Sequence, residues 1–294
     1  MRADRPSSTA ALIAAATVFL ARDRRLADVV PPGAAEICAR CLQVVWPVRL
    51  AAVRALSRPR WRWLAHCAER STIPGLVLHF ALRKRWIEEA VRRSLEQGCR
   101  QVVVIGAGYD TLALRLAPRF PDVRFIEIDH PATQRAKRLA AGATLVRFIG
   151  ADLARTALQV ALSSSDYDAN EPSLFVIEGL LMYLTPAEVD RLFAALGELQ
   201  RAGGGVIFSL MEPAPDGRLS FHNATVLVNR LLALWREPFK SALSRAELAA
   251  YLARFGLALE EFAGADELRE RYLAPPREKL ALARGELTVF AQRR

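Results

Sequence analysis

The sequence predicts an α/β protein in which a doubly wound sheet follows a long helical segment. After Gly98, short β-branched runs alternate with helical stretches, as in repeated β-α-β units. Two further β runs close the chain and predict a final antiparallel pair, whereas only helical patterns precede Gly98. Hydrophobic residues make up 52% of the 294 residues, enough for a sizeable core and too many for a disordered chain.

The helical segment begins with an apolar run over residues 9–20. This run resembles a short signal-peptide core, but Ser7-Ser8-Thr9 before it is typical of a helix N-cap, and residues 22–25 end it with charges. A buried helix is therefore expected, and the run is shorter than the roughly 20 residues that span a bilayer. A second helix is predicted over residues 34–56, with a basic face formed by Arg40, Arg49 and Arg54.

Seven strands and several helices are predicted in order along the chain. The strands are expected at residues 101–105, 123–128, 144–149, 174–177, 205–210, 257–262 and 286–292, and helical stretches at 111–116, 186–201 and 244–255. The first strand, Gln-Val-Val-Val-Ile, is continuous and apolar, which indicates a parallel strand buried on both faces. We predict a helical cap over residues 1–97 and a sheet domain over 98–294, with a cap insertion at about 213–243.

The formal net charge of +10 belongs entirely to the helical segment. Residues 1–100 hold 18 basic and 8 acidic side chains, and residues 101–294 hold 23 of each. This asymmetry leaves open a basic adaptor for a membrane surface or a nucleic acid. Because neither an RNA-binding module nor a membrane span is recognisable, no nucleic-acid partner and no integral membrane segment are expected.

Four cysteines, all in the first hundred residues, are too few for a disulfide scaffold and favour a cytoplasmic protein. Cys38 and Cys41 form a C-x-x-C pair that could be combined with His66 and Cys67 into a zinc site. A strong zinc signal needs two correctly spaced pairs, and the surrounding apolar pattern favours cysteines inside a helix core. No metal is expected.

Glycines and acids follow four successive strands, at the edge where such sheets bind ligands. Gly106-Ala107-Gly108 follows the first strand and allows close approach of a ligand to the backbone. Asp129 ends the second strand, where a carboxylate can accept ribose hydroxyls. Asp152 follows the third strand and is suited to an adenine amino group, with Leu153 packing on the ring. Glu178 follows the fourth strand.

Dinucleotides and S-adenosyl compounds can both place a ribose on such an acid, but only a dinucleotide also needs a site for its pyrophosphate. The dinucleotide fingerprint requires glycine at position 111, where Thr111 stands. A pyrophosphate also favours a helix N-terminus without negative charge, whereas Asp110 lies at this one. S-adenosylmethionine (SAM), a nucleoside without phosphates and with a cationic centre, fits these residues. An NAD(P)-dependent oxidoreductase on the same sheet remains the alternative.

Four segments closely resemble the leucine carboxyl methyltransferase family of class I SAM-dependent methyltransferases, in its bacterial small-molecule branch. They are VVVIGAGYDTLALRL (102–116), FIEIDHPATQRAKRL (125–139), GADL (150–153) and EGLLMYLTPAEV (178–189). The resemblance covers roughly residues 70–290 and implies a seven-stranded Rossmann-like sheet under a helical cap. It also implies methyl transfer from SAM to an oxygen, often that of a carboxylate.

The resemblance further assigns roles to residues of this chain. Arg85 would pair with the methionyl carboxylate of SAM, Gly106 and Gly108 would line the methionine, and Glu178 would lie beside it. Asp129 would bind the ribose, and Asp152 with Leu153 would frame the adenine.

The expected activity is O-methylation of a small molecule, such as a polyketide or another natural product. A carboxylate acceptor needs no general base. For an alcohol or phenol, His222 is the candidate base, because the segment after the fifth strand borders the acceptor pocket in this fold, and Tyr183 could orient the acceptor. The sequence does not indicate the oligomeric state.

Overall fold

Runs of β-branched and aromatic residues form the seven strands of one sheet in a computed structural model that describes residues 6–225 and 239–293. The strands are β1 (Gln101–Ile105), β2 (Arg124–Asp129), β3 (Arg147–Gly150), β4 (Ser173–Ile177), β5 (Gly205–Met211), β6 (Leu257–Ala263) and β7 (Glu286–Arg293). Their order is β3-β2-β1-β4-β5-β7-β6. The first five strands are parallel and β7 is antiparallel to both neighbours, which confirms the predicted α/β sheet with its closing antiparallel pair.

The chain order reverses between the neighbouring strands β1 and β4. From β1 the sheet grows through β2 to β3 on one side, and from β4 through β5 on the other. Such a switch point opens a crevice at the carboxyl ends of the two strands, where ligands bind in doubly wound sheets. A ligand site is therefore expected among the residues that follow β1 and β4.

Eleven α-helices are found in the described residues. They are α1 (Ser8–Leu20), α2 (Ala34–Val45), α3 (Pro47–Leu56), α4 (Pro59–Arg70), α5 (Leu76–Glu96), α6 (Leu112–Leu116), α7 (Pro131–Ala141), α8 (Leu158–Leu162), α9 (Pro186–Leu199), α10 (Arg245–Ala253) and α11 (Ala265–Tyr272). Within the described ranges, none is long and apolar enough to cross a membrane. The cap insertion predicted at about residues 213–243 lies partly outside the described residues, and the domain division remains a prediction.

Alternate side chains of β1 enter two apolar cores on opposite faces of the sheet. Val102 and Val104 pack with α5, α6 and α11, whereas Val103 and Ile105 pack with α8, α9 and α10. Helices on both faces explain why β1 is buried at every position, as its continuous apolar sequence predicted.

The single helix predicted over residues 34–56 is wrong, because two helices occupy this range. Pro47 lacks a backbone N–H, so it begins α3 rather than continuing α2. Trp46 joins the two helices with a non-helical backbone, at φ −143°. The predicted N-cap is confirmed, since the Ser7 side chain accepts a hydrogen bond from the Ala10 N–H.

Helices α1 and α2 cover the end of β1. Ala11, Ala14, Cys38 and Cys41 are buried in a small core that also includes Tyr109, from the turn after β1. Burial raises the pKa of the Cys38 thiol to about 12. Cys38 and Cys41 are thus interior residues of a helix, as predicted.

Candidate functional site

The turn after β1 has a backbone that only glycine adopts easily. Gly106 has φ +69° and Gly108 has φ +47°, both in the left-handed region. A Cβ at Gly106 would lie 3.0 Å from Leu180 Cδ2, and one at Gly108 would lie 2.9 Å from the Cβ of Ala10 on α1. Leu180 and Ala10 therefore pack against the turn from two sides, and neither glycine position has room for a side chain.

Asp129, at the end of β2, is joined to this turn. Its Oδ2 accepts a hydrogen bond of 2.6 Å from the Gly108 N–H, and its Oδ1 accepts one of 2.6 Å from the His130 N–H. Burial raises the pKa of Asp129, and these backbone hydrogen bonds oppose that rise. Each oxygen accepts one of these bonds and retains capacity for a ligand hydroxyl.

Two cations of α5 connect the ends of β1 and β4. Lys84 Nζ lies 2.5 Å from Asp110 Oδ2, after β1, and 2.9 Å from Glu178 Oε2, after β4. Arg83 Nη2 donates to the other oxygen of Glu178 at 2.6 Å. Burial alone would lower the pKa of Lys84, but Asp110 and Glu178 outweigh it and raise that pKa. The switch point thus carries a buried group of alternating charges.

A second buried acid extends this group toward β7. Glu286 Oε1 accepts a hydrogen bond of 2.5 Å from Arg83 Nη1, and Glu286 Oε2 lies 2.9 Å from His79 Nε2. Burial favours the neutral form of Glu286, but the charge of Arg83 and the His79 hydrogen bond prevail and lower its pKa to about 2. His79 and Arg83 are four residues apart, on the face of α5 that meets the sheet.

The structure does not bring Arg85 to the strand ends. Its guanidinium lies 3.4 Å from Glu89 on the same helix and 5.1 Å from the centre of the Tyr272 ring on α11, and 42% of its side chain is exposed. A helix turns by about 100° per residue, so three consecutive cations cannot face one cleft. Arg83 and Lys84 reach the strand ends instead. Sequence reasoning missed these contacts, for which the i, i+4 spacing of His79 and Arg83 on one helix face was the local signal.

Asp152 and Leu153 lie beside Asp129, because β2 and β3 are neighbours in register. Asp129 pairs with Gly150, and the Ala151 N–H donates to the Asp129 backbone oxygen at 2.9 Å. The Asp152 Oδ1 accepts from the Ala154 N–H at 3.1 Å, and 40% of the Asp152 side chain is exposed. Leu153 is half-buried against the core formed by α8 and α9.

Tyr183 belongs to a separate group of apolar side chains, here called the aromatic cluster. It includes Met182, Met211 and Phe221, with Phe80, Tyr183 and Phe239 packed against them. His222 follows Phe221 in the sequence and is exposed. The His222 Nε2–H donates to the Glu212 backbone oxygen at 3.1 Å, which leaves Nδ1 as the basic nitrogen. Phe80 lies beneath the Arg83 guanidinium, 4.8 Å from its centre, so the aromatic cluster adjoins the charged group.

Fold and strand-end residues together define a protein of the class I methyltransferase fold. The model of the leucine carboxyl methyltransferase family matches residues 34–197, more than half of the chain. The chain belongs to this family, which confirms the resemblance seen in its motifs.

The chain is also similar to proteins of Mycobacterium tuberculosis provisionally named S-adenosyl-L-methionine-dependent methyltransferases. One is 29% identical over 74% of this chain and 64% of its own length. Another is 33% identical over 42% of this chain and 39% of its own length. The chain therefore spans less than two thirds of the length of these relatives.

Two crystal structures share the fold. A protein of Thermobifida fusca, provisionally named a methyltransferase, is 19% identical with a TM-score of 0.54, covering 87% of this chain and 94% of its own. A DUF574 family protein of Streptomyces avermitilis is 16% identical with a TM-score of 0.55, covering 95% and 97%. At these identities the likeness concerns the fold alone.

Proposed function

We propose that the protein is a SAM-dependent O-methyltransferase that acts on a carboxylate or hydroxyl group of a small molecule. The observation that carries the proposal is the pairing of Asp129 with the Gly108 N–H, 2.6 Å apart at the switch-point edge of the sheet. This pairing supports the proposal, because a carboxylate beside a glycine turn at this edge of the sheet is suited to the ribose of a nucleoside ligand. The relatives, which are named as SAM-dependent methyltransferases, support methyl transfer from SAM.

The residues present fit SAM better than a dinucleotide. A pyrophosphate would need the N-terminus of α6, but Asp110 Oδ1 already accepts the Leu112 N–H there at 2.7 Å. Asp110 and Glu178 instead suit a ligand that carries positive charge. An NAD(P)-dependent reaction is therefore the less favoured function.

Each part of SAM has candidate partners in this chain. Asp129 would hold the ribose, Asp152 and Leu153 the adenine, and Gly106 and Gly108 would admit the methionine chain. Arg83 and Lys84 would bind the methionyl carboxylate, in place of Arg85, with Glu178 beside them. When bound, SAM supplies an electrophilic methyl carbon on a sulfonium.

The aromatic cluster is the proposed acceptor site. Its member Phe80 lies against Arg83, and it consists mainly of aromatic and sulfur-containing side chains, so it would favour a lipophilic acceptor and exclude water. A carboxylate acceptor needs only positioning, which Tyr183 would provide from the edge of the cluster. A hydroxyl acceptor would require a base, for which His222 Nδ1 is the candidate.

The domain roles and the location follow from the same proposal. Residues 1–97 would form a cap over the cofactor, and residues 98–294 would form the SAM-binding domain. The four free cysteines accord with a reducing cytoplasm.

The test is a methyl-transfer screen with isotopically labelled SAM over carboxylic acids, phenols and hydroxylated polyketides. Alkaline hydrolysis of the product separates the acceptor types, because a methyl ester releases methanol and a methyl ether does not. Transfer to an oxygen is expected, and it should be lost in Asp129→Ala. Label on nitrogen, carbon or sulfur, or no transfer by a protein that binds SAM, would contradict O-methylation.

His222 gives a sharper expectation within that screen. With a hydroxyl acceptor, His222→Ala should lower kcat by about 100-fold, because the base that accepts the proton is removed. With a carboxylate acceptor the variant should keep its turnover. Full turnover on a hydroxyl acceptor would exclude His222 as the base.

A further inference from the structure

Helices α3 and α4 expose an unusual amount of apolar surface. Of residues 47–70, only Leu50 and Ser57 are buried. Eleven large hydrophobic side chains are exposed in the described part of the chain, and six of them fall within residues 44–64: Val44, Val48, Leu56, Trp61, Trp63 and Leu64. Val48 is 82% exposed and Trp63 is 58% exposed. Concentrated exposure of this kind marks an interaction surface.

Helix α3 has an apolar stripe that faces outward. The stripe has the helical spacing i, i+3, i+4, i+7, i+8 and consists of exposed residues Val48, Ala51, Ala52, Ala55 and Leu56. Leu50 and Val53, on the other side of the helix, pack into the core formed with α1 and α2. The helix is thus apolar on the side that faces solvent as well as on the side that faces the protein.

The same two helices are strongly basic. Residues 47–70 contain six arginines and a single acid, Glu69. Arg62 pairs with Asp23 at 2.6 Å, whereas the other five arginines have no ion-pair partner in residues 6–225 or 239–293. On a helical projection Arg49 and Arg54 lie on either side of the apolar stripe, about 100° or more from Val48. Unpaired cations therefore flank an exposed apolar surface.

We propose that α3 and α4 dock on an anionic phospholipid surface. The stripe of α3 would enter the boundary between head groups and acyl chains, while the flanking arginines would contact lipid phosphates. Trp63 on α4, which is 58% exposed, has the amphipathic ring that is enriched at this depth. The proposal does not depend on methyl transfer.

Charge and polarity favour this partner over two others. A second copy of the chain that met this face with its own would bring unpaired arginines against arginines. A nucleic acid would satisfy the arginines and could stack on the tryptophans, but it would leave the aliphatic stripe of α3 in water. A membrane with anionic head groups satisfies both the charge and the apolar stripe.

The test is flotation of the full-length protein with vesicles of phosphatidylcholine alone or of phosphatidylcholine and phosphatidylglycerol in equal amounts. Binding to the anionic vesicles only is expected. Arg54→Gln/Arg58→Gln/Arg60→Gln should weaken it by about 100-fold, since each cation near an anionic surface contributes a factor of about five. The matched control, Arg119→Gln/Arg135→Gln/Arg201→Gln, replaces three exposed arginines elsewhere and should bind as the wild type does.

A second pair of variants tests the apolar contribution. Val48→Asp/Leu56→Asp should lower binding by about tenfold or more, whereas Leu139→Asp/Val160→Asp, at exposed positions outside α3 and α4, should not. Unchanged circular dichroism spectra and melting temperatures would show that each variant is folded. The proposal is overturned if anionic vesicles bind no better than neutral ones or if Val48→Asp/Leu56→Asp binds normally. It is also overturned if the protein instead binds RNA or dimerises through this face.

Discussion

At the level of single residues, Arg83 and Lys84 show which parts of the candidate site could be predicted from the sequence and which could not. The glycines after β1, and Asp129 and Glu178 at the strand ends, could be predicted because their position follows from the end of each strand. Which side of α5 faces the sheet could not be predicted, because it depends on the contacts of His79 and Arg83 with Glu286, more than 200 residues away in sequence. The prediction directed Arg85 of α5 to the strand ends, but packing turns Arg83 and Lys84 toward them instead.

Separate replacement of Lys84 and of Arg85 tests which of these cations belongs to the proposed SAM site. Lys84→Met should weaken the binding of S-adenosylhomocysteine by about tenfold or more, because it removes one cation proposed for the carboxylate and leaves Asp110 and Glu178 less well paired. Arg85→Met is the matched control and should bind normally, since Arg85 pairs with Glu89 and lies over the Tyr272 ring, away from the strand ends. Weak binding by Arg85→Met alone would restore the original assignment.

Among the secondary-structure elements, the positions of the strands could be predicted from the sequence, whereas the contacts that the helices make could not. The predicted β1 and β4 differ from the observed strands by at most one residue at an end, because continuous apolar runs are bounded by polar or glycine residues. The break at Pro47 is also encoded locally. The packing of α1 on the glycine turn, by contrast, joins Ala10 to Gly108 and has no local signal in either segment.

This packing of α1 makes Gly108 sensitive to substitution. Gly108→Ala would strain the backbone at φ +47° and also press a methyl group against Ala10, 2.9 Å away. We expect a loss of about 2 kcal/mol in the free energy of unfolding, together with weakened cofactor binding. Gly217→Ala, with φ +77° and open space around the added Cβ, should show the backbone cost alone and bind normally. Equal effects in urea denaturation would contradict the close contact with α1.

The charged group that joins α5, β4 and β7 links the stability of the whole molecule to pH. Arg83 and His79 hold the pKa of Glu286 at about 2, below the ordinary 4.5, against the effect of burial. The folded protein therefore binds fewer protons than the unfolded chain between pH 2 and pH 4.5. The stabilising contribution of Glu286 is fully present above pH 4.5 and is lost as the pH falls toward 2. The contribution of Glu286 is about 3 kcal/mol. Asp110, whose pKa is also lowered, acts in the same direction.

Urea denaturation across this acidic range should show that decline in the free energy of unfolding. Glu286→Gln should be less stable at neutral pH, because Arg83 loses a buried partner, and should depend less steeply on pH. Glu260→Gln, on β6 and exposed, is the control and should retain the wild-type slope. A folded Glu286→Gln protein with the full wild-type slope would show that other carboxylates cause the acid sensitivity.

Isothermal titration with SAM and S-adenosylhomocysteine tests the central claim, that the carboxyl ends of β1 to β4 form a SAM site. We expect one molecule bound per chain, and binding abolished in Asp129→Ala, whose carboxylate joins the glycine turn to the proposed ribose position. Asp122→Ala is the matched control and should bind normally, because Asp122 is exposed and lies just before the start of β2. A wild-type protein that binds neither compound, or an Asp129→Ala protein that binds both with unchanged affinity, would contradict the account.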